Sequence, residues 1–318
     1  MTAYTLEALA TDENFDEEAY LLANPDVADA VRKNLMESGR QHFEAFGKKE
    51  GRRIARKTGG WASVIAEAKQ RKLERIKPLL RTDMPCIETP ACYDFLSAEL
   101  RARFNIVDTD AVSSNGYDEN GMALIDGNQD GLVLDCGAGK RPVYFDNVVN
   151  FEIAAYESTD VRGVGEVLPF ADGAFDAVIS VAVLEHVKDP FMCAREIARV
   201  LKPGGSLVCC VPFLQPLHGY PHHYYNMTSQ GIRNLFVDYL AIDKVTVPDS
   251  VLPIWSLGWI LGSWAAGLEG KTRNDFLQMK VADLMANPVT YLNMPFVREL
   301  SEEKNIELAS ATMLFAHK

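Results

Sequence analysis

The chain has no surplus of positive charge, no CxxC pair and no apolar leader, and each absence excludes something. Lys and Arg number 32 against 44 Asp and Glu, a net charge of −12. That balance excludes a general nucleic-acid binder. The six cysteines, at 86, 92, 136, 193, 209 and 210, never fall at CxxC spacing. All six read as reduced core or loop thiols. The opening "MTAYTLEALATDENFDEE" is polar and acidic, unlike a secretory leader, so a cytoplasmic location is expected. One uncharged apolar stretch, "VLPIWSLGWILGSWAAGL" at 251–268, reaches the lower length of a membrane span. It holds Pro253, two serines and three glycines and lacks a basic flank on its N-terminal side. A buried or lid helix is expected there instead. The remaining composition is that of a globular protein, 47% hydrophobic and 24% charged over 318 residues. This is room for one large domain and a small one.

Charge divides the chain. Residues 1–47 hold ten acids and three bases, and residues 48–81 hold twelve Lys and Arg and three acids. In the first stretch Asp16 is placed to cap one helix and Asn24, followed by Pro25, a second. Ser38 and Gln41 have capping-box spacing for a third, which Gly47 would close. Leu21, Val27, Val31, Phe43 and Phe46 would form its apolar centre. A small all-α module over 1–57 is expected, separable from the rest of the chain. "WASVIAEAKQRKLERIKPLLR" reads as an exposed basic linker helix within 58–88, its charge solvated. Contact with an anionic membrane surface through 48–81 or 251–268 is the lesser expectation.

From Thr89 onward the pattern changes. "TPACYDFLSAELRARF" predicts a helix capped by Thr89, and "NGYDENG" a turn. Short apolar runs follow, at 131–135, 148–153, 175–180, 206–211, 242–247 and 307–316. Runs without alternation are strands buried on both faces, so a mostly parallel sheet covered by helices is expected. The strand "GLVLD" runs straight into "CGAG". A glycine turn at a strand's carboxyl end, with Asp135, Gly137 and Gly139, is where a nucleotide-like ligand approaches the backbone. Glu152 ends the next strand, where a carboxylate can accept both ribose hydroxyls. A nicotinamide dehydrogenase is disfavoured. Pro142 stands where the third glycine of GxGxxG would be, and Glu152 follows Gly139 too closely. Only Lys140–Asn147 separates the turn from the second strand, too short for a full crossover helix.

The stretches "LDCGAG", "LPFADGAFDAV", "VLEHV" and "ARVLKPGG" resemble, in order and spacing, the class I S-adenosylmethionine-dependent methyltransferases. The resemblance covers roughly 89–318 and is nearest the subgroup that continues "VPFLQPLHGYPHHYYNMTSQGIRNLF". It implies a Rossmann-like, doubly wound α/β fold with an antiparallel last strand, and a lid or insertion over 250–295. It implies S-adenosylmethionine as cofactor, held near Asp135, Gly137, Ala138, Gly139, Glu152, Gly165, Glu166 and Val181. Val164 departs from the family, since many relatives carry there an aspartate that meets the adenine amino group. Backbone groups near Gly165 and Glu166 would take over that contact. The pattern "FD…YL…NPDVA…G…HF…FG…EGR" resembles a short helical module of bacterial surface-polysaccharide and glycosyltransferase-associated proteins. By that association the methyl acceptor is expected to be a sugar or glycan-linked small molecule. The alternative expectation is a non-catalytic scaffold on the same fold that docks to a glycan-assembly complex.

One more stretch carries chemistry. "HGYPHHYYNM", 218–227, would leave a central strand at the same sheet edge as the glycine turn. His218, His222 and His223 are the candidate bases for removing the acceptor's proton. His186 and Tyr220 are the candidate substrate contacts, and Thr228 caps the next helix. No metal site is expected, because the stretch contains no acid and its adjacent histidines point apart.

Overall fold

The computed structural model describes residues 2–33, 36–55, 61–109, 112–114, 116–219 and 221–314, with backbone only for 61–63. The chain begins with two short strands, β1 (Ala3–Thr5) and β2 (Glu7–Leu9). Helices follow at Glu17–Ala23 and Pro25–Arg32. Asp16 caps the first, its side chain accepting the Ala19 amide at 2.8 Å. Asn24 does not cap the second. Its amide is drawn off to the carbonyls of Tyr20 and Arg53. Ser38 caps a third helix through the Gln41 amide, which runs on past Gly47 and stops at Gly51. Then β3 (Arg53–Ala55) pairs antiparallel with β2. The expected all-α module is therefore corrected, because a two-stranded ribbon closes it. Its centre is Tyr20, Val27, Phe43 and Ile54, whereas Phe46 is exposed.

The helix Trp61–Ile76 is not a solvated linker. Leu73 and Ile76 sit in the main core. Lys72 is fully buried, donating to the Val148 carbonyl and to Asp160 Oδ2 at 2.9 Å. Its ammonium also lies 3.4 Å above the Tyr144 ring. The positive charge read as solvated is partly spent inside the fold.

Next come β4 (Ile87–Glu88) and β5 (Tyr93–Asp94), an antiparallel hairpin. The helix expected from Thr89 starts later, at Ala98 with Ser97 as its cap. Thr89 instead bonds Cys92 and closes the hairpin. The "NGYDENG" turn is also corrected, since Asp118 caps a helix over Glu119–Gly127. The chain then continues through β6 (Val133–Cys136), β7 (Val143–Phe145), β8 (Val148–Glu152), β9 (Val161–Arg162), β10 (Phe175–Val181) and β11 (Leu201–Cys210). The helix Pro190–Val200, capped by Asp189, links the last two.

Seven strands form one sheet in the order β11-β10-β6-β8-β9-β5-β4. All neighbours are parallel except β4 and β5. The antiparallel member is therefore this early hairpin, not a last strand. Residues 242–247 form no strand; of the run 307–316, Glu307 and Leu308 end a helix over Glu302–Leu308, 309–314 form no strand, and 315–316 lie outside the described residues. From β6 the chain goes to β8 on one side and later to β10 on the other. The crevice at the carboxyl ends of β6 and β10 is thus the topological switch point, where ligands bind in such sheets.

Between β6 and β8 there is no helix, as expected, but β7 leaves the main sheet to pair with β1. Tyr4 and Leu6 pack with Ile65, Ala68 and Tyr144. Lys140 Nζ meets Glu7 at 2.8 Å. These contacts tie the first residues to the sheet domain. The C-terminal helices, led by Pro253–Ala266, pack on a small core of their own around Ala265, Phe276 and Phe296. Among the described residues no helix is long and apolar enough to cross a membrane.

Candidate active site

Asp135 is buried at the end of β6. Its Oδ2 accepts from Arg141 Nε at 2.7 Å and from the Tyr117 hydroxyl. The Arg141 guanidinium lies 4.0 Å above the Tyr117 ring. Burial and the Asp135 charge push the Tyr117 phenol well up, so it stays protonated and donates. The Asp135 carboxylate is thus held from behind by a cation and a hydroxyl. Its Oδ1 has no hydrogen-bond partner among the described residues. Neither Tyr117 nor Arg141 stood out in the sequence. Arg141 lies just beyond the glycine turn, and Tyr117 carries no motif.

The glycine turn is held by the neighbouring strand. Gly137 and Ala138 donate to the Phe151 carbonyl, and Gly139 donates to Glu152 Oε2 at 2.7 Å. Gly137 and Gly139 both have positive φ, 88° and 62°. A Cβ on Gly139 would come within 2.7 Å of the Ser113 carbonyl oxygen. The close approach that requires glycine here is therefore made by the chain itself. Glu152 Oε1 accepts the Ile153 amide at 2.8 Å and that of Ala154 at 3.3 Å. Burial raises the Glu152 carboxyl, and the three amides oppose the rise.

The other cofactor candidates are more dispersed. Val181 is exposed at the end of β10, beside Cys210. Gly165 packs against Cys193. The Glu166 side chain is buried and accepts the Lys188 and Asp189 amides at 3.1 and 3.3 Å. That carboxylate organises the start of the helix Pro190–Val200.

The histidine loop follows β11, an edge strand and not the central one expected, and is brought back onto the segment after β10. The Glu185 carbonyl accepts the amides of Tyr224 and Tyr225, and Gly219, with φ 78°, lies against the His186 ring. His186 Nδ1 lies 2.8 Å from the His222 carbonyl, and His218 Nδ1 lies 2.8 Å from the Pro216 carbonyl. A carbonyl only accepts, so both Nδ1 atoms carry protons and both Nε2 atoms keep free lone pairs. These face Glu185 Oε1 at 3.6 and 4.0 Å. Burial lowers the pKa of both imidazoles, which keeps them neutral.

The other two histidines are engaged differently. His223 Nδ1 accepts the His218 amide, and its Nε2 donates to Asn226. His222 turns away and donates to the Asn105 carbonyl at 2.8 Å. Of the three candidate bases, only His218 offers an unused ring nitrogen to the crevice. Tyr220 lies outside the described residues. The acid absent from the loop is supplied by Glu185 of "VLEHV". The loop's own composition therefore does not exclude a metal. Trp259, from the helix Pro253–Ala266, packs 5.0 Å from the His218 ring and covers the group.

Comparison with known proteins bears on this edge of the sheet. Residues 136–209, from the glycine turn to β11, match the family model described as a methyltransferase domain. This match and the relatives below show a likeness to methyltransferases over that segment. An uncharacterized methyltransferase of Mycobacterium sp. (strain JLS) is 50% identical over 48 residues, 15% of this chain and 19% of that relative. Another, of Mycolicibacterium gilvum, is 41% identical over 87 residues, 27% of this chain and 31% of that relative. Demethylmenaquinone methyltransferase of Mycolicibacterium vanbaalenii is 49% identical over 57 residues, 18% and 25% of the two chains. The chain spans less than a third of the length of each of these relatives. Among solved structures, the YcgJ protein of Bacillus subtilis overlaps 49% of this chain and 86% of its own, at 18% identity and TM-score 0.32. Phosphoethanolamine N-methyltransferase 2 of Haemonchus contortus, in complex with S-adenosyl-L-methionine, overlaps 50% of this chain and 45% of its own, at 16% identity and TM-score 0.30. Overlaps this slight do not bear on the chemistry.

Proposed function

We propose that this protein transfers a methyl group from S-adenosylmethionine to an oxygen or nitrogen of a small acceptor bound against the histidine–tyrosine loop. The observation that carries the reading is the Gly139–Glu152 contact beside the switch point, inside the segment that matches the methyltransferase family. The cofactor would lie across the ends of β6 and β8, one ribose hydroxyl donating to the remaining lone pair on Glu152 Oε2. Its sulfonium would lie toward Asp135 and Val181, between the glycine turn and the loop after β10.

In the transfer, the methyl–sulfur bond breaks as the acceptor–methyl bond forms, and the electron pair stays on sulfur. S-adenosylhomocysteine is the co-product. The protein's main contribution is to hold nucleophile, carbon and sulfur in line. A hydroxyl or amine acceptor must also give up a proton, and Glu185, His186 and His218 form the end of the crevice that handles this ionisation. A sugar or glycan-linked acceptor is the chemistry that the N-terminal module suggests. Native mass spectrometry of the purified full chain tests the reading. Co-purified S-adenosylmethionine or S-adenosylhomocysteine is expected, and a bound nicotinamide dinucleotide would count against it.

A further inference from the structure

We propose that Glu185, His186 and His218 form a binding site for a divalent first-row transition-metal ion, with Zn²⁺ as the natural probe. One ligand atom from each lies within 4.8 Å of the others. Both imidazoles are fixed in the tautomer a metal needs. Each donates Nδ1–H to a backbone carbonyl and aims a bare Nε2 inward. That is the outer-shell arrangement by which metal-binding histidines are held.

The Glu185 side chain has no accessible surface, and neither carboxylate oxygen has a hydrogen-bond partner among the described residues. An unpartnered buried carboxylate is costly, and either a proton or a cation relieves the cost. A proton on Glu185, however, needs one acceptor at most. It leaves unexplained why two separate elements each present a free imidazole nitrogen to the same oxygen.

The distances suit an ion. In a tetrahedral site with bonds of about 2.0–2.1 Å, donor atoms stand about 3.3 Å apart. The Nε2 atoms of His186 and His218 are 3.6 and 4.0 Å from Glu185 Oε1. Movements of less than an ångström would bring both nitrogens to that distance from the oxygen, and the two nitrogens lie within 4.8 Å of each other. Two imidazoles and one carboxylate favour zinc and its neighbours over magnesium or calcium, which take oxygen ligands. His223 is excluded as a ligand, because both its ring nitrogens are used. Three protein ligands leave a position open, as in catalytic rather than structural sites. The role of that position rests on the methyl-transfer reading. It would take the acceptor's oxygen or nitrogen and lower its pKa. The binding itself does not depend on that reading.

The test uses the full chain, stripped with a chelator, dialysed, and titrated with Zn²⁺ by calorimetry and with Co²⁺ by visible absorption. One equivalent should bind, with a Co²⁺ spectrum typical of a four- or five-coordinate site. Glu185→Gln, His186→Gln and His218→Gln should each weaken binding by at least the roughly 10–100-fold that loss of an outer-shell partner costs, and His222→Gln should not. If any of the three variants fails to fold, as judged by circular dichroism, X-ray absorption of the zinc-loaded wild type replaces it and should show two imidazole ligands. Absence of stoichiometric binding by the wild type, or binding unaffected by Glu185→Gln, would overturn the proposal. S-adenosylhomocysteine binding is measured on the same samples. Loss of the metal claim with that binding intact leaves the methyl-transfer reading standing.

Discussion

Glu152, at the end of one strand, accepts the amide proton of Gly139, in the turn after the neighbouring strand, across 2.7 Å. A single side chain therefore shapes the glycine turn and, on the methyl-transfer reading, would also accept from a ribose hydroxyl. Glu152→Ala should weaken S-adenosylhomocysteine binding by about 1.5–3 kcal/mol, the range for hydrogen bonds to a charged group. It should also lower the melting temperature, because three backbone amides lose their acceptor. Calorimetry and thermal unfolding check the two effects separately. Unchanged affinity with lowered stability would make Glu152 a turn-holder only.

Asp135 depends on Arg141. Arg141→Met would leave a buried carboxylate with only the Tyr117 hydroxyl. Breaking a buried pair from one side costs about 3–5 kcal/mol. Arg141→Lys should recover little of it, since an ammonium cannot both stack flat on Tyr117 and reach Asp135. Urea unfolding of the two variants decides this, and a loss below about 1 kcal/mol for the methionine variant would count against it.

Lys72 gives stability a pH dependence. Burial pushes its pKa down to about 8, opposed by Asp160, from an ordinary value of 10.5. Between those values the unfolded chain binds more protons than the folded one. This group's contribution to stability therefore rises as pH climbs from about 8 to 10.5. The rise should be present in the wild type and absent in Lys72→Met. That variant should also be less stable at neutral pH, because Asp160 loses its cation.

The N-terminal segment reads in sequence as a separable unit, but the structure ties it down. Removing residues 1–57 would strip β1 from β7 and uncover Ile65, Ala68 and Tyr144. The truncated chain is expected to melt lower than the full chain or to aggregate. An equal melting temperature would show that the unit is dispensable.

The legible parts of the fold are those where one local rule suffices. Continuous apolar runs marked β6, β8, β10 and the second half of β11, and Asp16, Ser38 and Thr228 all cap the helices expected of them. The failures lie where two rules compete. Thr89-Pro90 is as good a turn as a helix start, and the hairpin prevailed because Tyr93 pairs with β9. The run 242–247 is apolar enough for a strand, yet Val245 and Val247 are exposed. Lys72 looked like a surface charge because its partner, Asp160, is far away in sequence. The same holds for Glu185. It was in view as part of "VLEHV", but its meeting with His218 depends on the chain returning from β11.

Use of S-adenosylmethionine is decided by calorimetric titration of the full chain with S-adenosylhomocysteine and, separately, with NAD. One saturable site for S-adenosylhomocysteine is expected, weakened in Glu152→Ala, with no response to NAD. Binding of NAD with no response to S-adenosylhomocysteine would contradict the methyl-transfer reading.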